Sequence, residues 1–151
     1  MSIKLKSDKS ECGLVESLTH NGLPIALILR SEYSNEGIEF FTPGSYSQQL
    51  GYMKRPKGYI IDPHIHLPVP REVLYTNETL FVKKGLLKAS FFSKDKEYLG
   101  ERLLKAGDFL LLIQGGHGFE MLDETELIEI KQGPYSQDLD KERFSAEESG
   151  K

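Results

Sequence analysis

From Pro24 onward, apolar and polar positions fall into short runs, each bounded by Gly, Pro, Asn or Asp. Pro24 to Arg30 is apolar, and Ile38 to Thr42 is a second run stopped by Pro43-Gly44. Ser47 to Lys54 follows, then Gly58 to His66, which is closed by Pro68 and Pro70. Glu78 to Val82 alternates cleanly and ends at Lys83-Lys84-Gly85, and Leu86 to Phe92 returns through the polar turn Ser93 to Lys96. Tyr98 to Leu104, Asp108 to Ile113, Gly116 to Leu122 and Glu126 to Lys131 complete the series. Short segments spaced by turn residues predict an antiparallel all-β sandwich or barrel. No segment before residue 136 keeps a helical period. The first 23 residues mix charge with Ser and Gly and end in the turn Asn21-Gly22. A short helix is expected there around Leu14 to Leu18. Beyond Gly133-Pro134 the chain is polar, and Asp138 to Ser149 reads as a frayed helix or tail. The expectation is one domain over 1–151, with a β-barrel at 24–132 between an N-terminal extension, 1–23, and a C-terminal tail, 133–151.

Composition narrows the function classes. A length of 151 residues suits one ordinary domain. With 38% hydrophobic and 28% charged residues, the chain has the balance of a soluble globular fold. No apolar run approaches the ~18 residues of a membrane span. Met1 to Glu11 is too polar for a secretory signal. Nineteen basic against 23 acidic side chains give a net charge of -4, with no block of either sign, which argues against a nucleic-acid surface. The single cysteine, Cys12, can form no internal disulfide and no thiolate metal site alone, and suits a small buried or half-buried position. These features point to a reducing, cytoplasmic compartment.

Histidine is scarce, and three of the four are telling. In Gly58 to His66 a period of two puts Ile60, Asp62, His64 and His66 on one face. His64 and His66 would then project side by side, ~7 Å apart along a strand, able to converge on one ion. Glu78 shares the apolar face of Leu80 and Val82, where a carboxylate needs a partner because unpaired burial is costly. His117 shares a face with Phe119 and Met121. Three imidazoles and a carboxylate pointing into one barrel would suit a divalent transition metal. His20, beside Asn21-Gly22, is expected to be solvated.

Gly58-x5-His64-x-His66, followed by Glu78-x6-Gly85, resembles the first motif of the cupin superfamily. The second motif is echoed by Gly107-Asp108, Gly115-Gly116-His117 and Phe119. The resemblance implies a small jelly-roll β-barrel in which His64, His66, Glu78 and His117 hold one divalent transition metal (Fe, Mn, Ni, Zn or Co). Eleven residues separate His66 from Glu78, where three or four are usual in the family. The extra stretch, Leu67 to Asn77, reads as a loop at the barrel mouth, and its Glu72 is a rival ligand to Glu78. Arg71 on this loop could grip a carboxylate or phosphate through its planar fork. Gln49 is a second candidate for substrate binding, on the face of Gly51 and Met53. The run Lys131 to Tyr135 resembles small cupins associated with surface polysaccharides.

Three functions follow as alternatives. The leading one is a metal-dependent enzyme acting on a small polar molecule, a carbohydrate or sugar derivative, by isomerase, epimerase or dioxygenase chemistry. The others are a non-catalytic module that binds a metal or small ligand, and a metal-free nucleotide-sugar isomerase with His64 or His66 as base. No nucleic acid or membrane partner is expected. Family habit and exposed edge strands imply a homodimer.

Overall fold

The computed structural model describes residues 5–137 and 139–149. These form β1 (Lys6–Lys9), β2 (Val15–His20), β3 (Leu23–Leu29), β4 (Gly37–Phe40), β5 (Gly51–Lys54), β6 (Glu78–Lys84), β7 (Leu86–Phe92), β8 (Tyr98–Lys105), β9 (Phe109–Leu112), β10 (Gly116–Met121) and β11 (Glu126–Lys131). One 3-10 turn, Ala146–Ser149, is the sole helical element among the described residues. Asp138, the first residue of the segment read as a frayed helix or tail, lies outside the described residues. The protein is all-β, and every strand pairing is antiparallel. No helix among the described residues is long and apolar enough to cross a membrane.

The chain divides into two compact units. Ser34–Tyr75 forms one, and the segments before and after it form the other. The larger unit holds a six-stranded sheet of order β1-β2-β3-β9-β6-β11 and a three-stranded sheet of order β10-β7-β8. Leu18, Ile28, Leu80, Val82 and Leu110 from the first sheet meet Leu87, Phe91 and Leu104 from the second in one core. Each such burial contributes ~1.5–3 kcal/mol. The arrangement is consistent with a β-sandwich. The expected closed barrel is not formed, because no strand pairing joins the two sheets.

Three segments depart from the sequence reading, each for a local reason. Val15–His20 is a strand rather than a helix. Glu16 and Leu18 both point inward, and Glu16 is tolerated because Arg102 of β8 donates to its Oε1 from Nε at 3.0 Å and Nη2 at 2.8 Å. β1 has no apolar residue and forms by pairing along the edge of β2. Gly58 to His66 forms no strand. Pro63 removes a backbone donor from this stretch, and the Tyr59 N–H turns back to the Pro56 carbonyl at 3.2 Å.

Asp108, fully buried at the β8–β9 turn, ties three elements together. Its Oδ1 accepts from the Ser31 backbone N–H at 2.9 Å. Its Oδ2 accepts from Arg30 Nη1 and the Lys105 N–H, each at 2.9 Å. Two turns depend on glycine. A Cβ on Gly85 (φ +92°) would lie 2.4 Å from the Glu124 carbonyl oxygen, and one on Gly115 (φ +84°) 2.4 Å from that of Phe92.

The smaller unit is built on the β4–β5 hairpin. Gln49 organises its connection: Oε1 accepts from Thr42 Oγ1 at 2.7 Å, and Nε2 donates to the carbonyls of Pro43 at 2.9 Å and Tyr46 at 3.0 Å.

Candidate functional site

In the larger unit, β6 begins with Glu78 on the same face as the buried Leu80 and Val82. Asn77 fixes that beginning. Its backbone N–H donates to Gln132 Oε1 at 2.7 Å, and its Nδ2 donates to the Ile113 carbonyl at 2.7 Å. Opposite, β10 sets His117 across from Phe91, a core residue of β7, so the imidazole also faces between the sheets. The two side chains meet there: His117 Nε2 donates to Glu78 Oε2 at 3.1 Å. The His117 ring lies against Phe119, with centroids 5.3 Å apart.

Lys131 stands opposite Glu78 in the β11–β6 register, its Nζ 4.0 Å from Glu78 Oε1. The hydrogen bond from His117 holds the Glu78 carboxyl below its ordinary range. Partial burial opposes the shift, and the positive field of His117, Lys131 and Lys141 reinforces it. Glu78 is therefore a carboxylate at neutral pH, 16% exposed and reachable from solvent.

The other histidine pair lies in the smaller unit, on exposed irregular chain. The His64 and His66 rings are 5.1 Å apart between centroids and inclined at 72°. His64 Nδ1 donates to the Asp62 carbonyl at 3.0 Å, the orientation that leaves Nε2 as the basic nitrogen. Arg71 and Glu72 are exposed on the same unit, and Arg71 Nη1 donates to the Val69 carbonyl at 3.4 Å. Gln49 spends its amide within the hairpin connection. The structure thus brings together Glu78 with His117, and His64 with His66, each pair inside its own unit. Within either unit, no three His, Cys, Asp or Glu side chains among the described residues form a group able to hold a metal ion.

Cys12 is exposed, against the expectation of burial, with Sγ 3.2 Å from Ser10 Oγ in the β1–β2 turn. A cavity of about 240 Å³ in the larger unit is lined by His20, Asn21, Ile25, Lys94, Glu97 and Gln114, and includes neither Glu78 nor His117. Asn77, Lys131 and Gln132 are parts of the site that the motif reading did not assign. A signal for Lys131 was present, since it continues the period-two face of Leu127 and Glu129.

Glu78 and His117 offer donor types that metals use, but they are two where a bound ion ordinarily has three or four protein ligands. Carboxylate oxygen and imidazole nitrogen are the ligands that Fe, Mn, Co, Ni and Zn share. Two donors 3.1 Å apart can bind one ion at ~2.0–2.2 Å each. No protein-family model matches the chain, and no curated protein or solved structure matches it.

Proposed function

We propose that this protein is a metal-dependent cupin enzyme acting on a small polar substrate, a carbohydrate or sugar derivative. The observation that carries the reading is the contact of Glu78 with His117 across the two sheets, at the carboxylate and imidazole positions of the two motifs. The order of the later strands supports a jelly roll. β6 lies in the large sheet, β7 and β8 in the small one, β9 in the large, β10 in the small and β11 in the large. Alternation of this kind is how double-sheet jelly rolls are wound. The motif resemblance, and not a contact in the fold, is what names His64 and His66 as further ligands. The bound metal would supply Lewis-acid polarisation of a substrate oxygen. The chain's own part is to keep Glu78 ionised, to orient His64 through the Asp62 carbonyl and to line the site with Phe119.

Elemental analysis after incubation with Fe, Mn, Co, Ni or Zn tests the proposal, with close to one ion per chain expected. His64→Ala, His66→Ala and His117→Ala should each remove most of it, and His20→Ala should not. Glu78→Gln should weaken binding more than Glu72→Gln. Protein that takes up no ion would overturn the reading and leave the metal-free isomerase or a simple binding module in its place.

A further inference from the structure

We infer that residues 59–75 form an exchanged arm, and that it pairs with the β11 edge of a second copy of this chain. The inference does not depend on a bound metal. From Tyr59 to Leu74 the chain makes no turn or bend, so it runs extended, yet it joins no sheet. Its odd positions are apolar for most of that length: Ile61, Ile65, Leu67, Val69, Val73 and Tyr75. All six are exposed, Ile65 by 86% and Leu67 by 76%. Alternate side chains of an extended strand share a face, so this period of two describes one apolar face open to solvent.

The main chain says how the arm is met. In an extended strand the N–H groups of alternate residues point to the same edge. Ile65, Leu67, Val69 and Arg71 keep four donors on one edge, and none of these N–H groups meets an acceptor among the described residues. The other edge lacks two donors, at Pro68 and Pro70. A strand with its prolines on one edge is built to end a sheet, pairing on one side and facing solvent on the other. The arm therefore calls for a bare strand edge with apolar residues to match. β11 offers one. It ends the six-stranded sheet with β6 on one side only, and its Ile128 and Ile130 share a face and are 49% and 60% exposed. β1, at the far end of that sheet, is wholly polar. Every copy carries both the arm and the edge, so a two-fold pair satisfies both arms at once. At ~100–150 Å² for a fully exposed side chain, two arm faces and two edges come to on the order of 1,200 Å² of apolar surface, the floor for a stable interface.

Sedimentation equilibrium of the full chain, with amide hydrogen exchange read by NMR, tests the inference. The chain should sediment as a dimer. In that dimer the amides of Ile65, Leu67, Val69 and Arg71 should exchange at least about tenfold more slowly than those of His64 and His66, which lie on the unpaired edge. Leu67→Lys in the arm and Ile130→Lys at the edge should each raise the dimer dissociation constant at least about tenfold, with the far-UV circular dichroism of wild type. If a variant does not fold, the exchange pattern of wild type still decides. A chain that is monomeric throughout, or a dimer whose four arm amides exchange as fast as His64 and His66, would overturn the inference. So would a dimer that either folded variant leaves unmoved. Protection of the same four amides in a monomer would overturn it too, by showing that the arm pairs within its own molecule.

Discussion

Replacing Asp108 by Asn keeps the shape of the side chain and removes its charge. The carboxylate now accepts three hydrogen bonds, from Ser31 N, Arg30 Nη1 and Lys105 N, with no solvent contact. An amide can satisfy the donors on only one of its two ends. In the better orientation its oxygen takes Arg30 and Lys105, and its Nδ2 faces the Ser31 N–H donor to donor. One buried donor left without an acceptor costs ~1–3 kcal/mol. Removing one member of a buried ion pair costs ~3–5 kcal/mol, a range discounted here because Arg30 is 22% exposed and water can still reach it. The two effects overlap at Oδ2, so we expect a loss of about 3 kcal/mol. The chain has no tryptophan, so far-UV circular dichroism in urea is the suitable assay. With a slope near ~2 kcal/mol/M, the midpoint should fall by roughly 1.5 M with the slope unchanged. A double-mutant cycle with Arg30→Leu separates the pair from general damage, and a coupling of about 1 kcal/mol or more is expected. A midpoint shift below about 0.3 M, or no coupling, would refute the assignment of Asp108 as the tie between β3 and the β8–β9 turn.

Other expectations concern single positions. Gly115→Ala should destabilise the protein by about 2 kcal/mol or more, because the added Cβ meets the Phe92 carbonyl and the backbone is left-handed; thermal unfolding would show it. Burial pushes the Glu16 carboxyl up, but hydrogen bonds from Arg102 and Ser7 and the charges of Arg102 and Lys9 outweigh it and hold it below its ordinary value. A depressed folded pKa gives stability that is present above the unfolded value of 4.5 and lost as pH falls through the folded one. Urea midpoints measured from pH 6 to pH 3 should therefore drop less steeply in Glu16→Gln than in wild type.

Strands whose register is written in alternation with turn residues were legible in the sequence. β6 shows this best, since Glu78, Leu80 and Val82 define its inner face and Gly85 its end. The meeting of Glu78 with His117 was legible for the same reason, because both sit on apolar faces of a two-layer fold. β2 was not legible as a strand. Val15 and Leu18 repeat at helical spacing, and only Arg102, far along the chain, makes an inward Glu16 acceptable. β1 was silent, since an all-polar strand exists only by virtue of its neighbour. Gly58 to His66 shows the opposite case. Its alternation reads as a strand, but proline subtracts a donor that pairing would need, and a period of two without a partner defines no face.

The pairing of β3 with β9 has a consequence for synthesis. Ala26 must find Leu112, and Leu29 must find Phe109. At a ribosomal pace of ~5–20 residues per second, the nascent Ile25–Leu29 segment waits roughly 4–17 s for its neighbour to be made. Throughout that interval an apolar strand with one bare edge is available to any other chain being translated nearby. Slower elongation after residue 30 would lengthen the wait, so the yield of soluble protein should depend on codon choice between Arg30 and Phe109 more than on codon choice elsewhere.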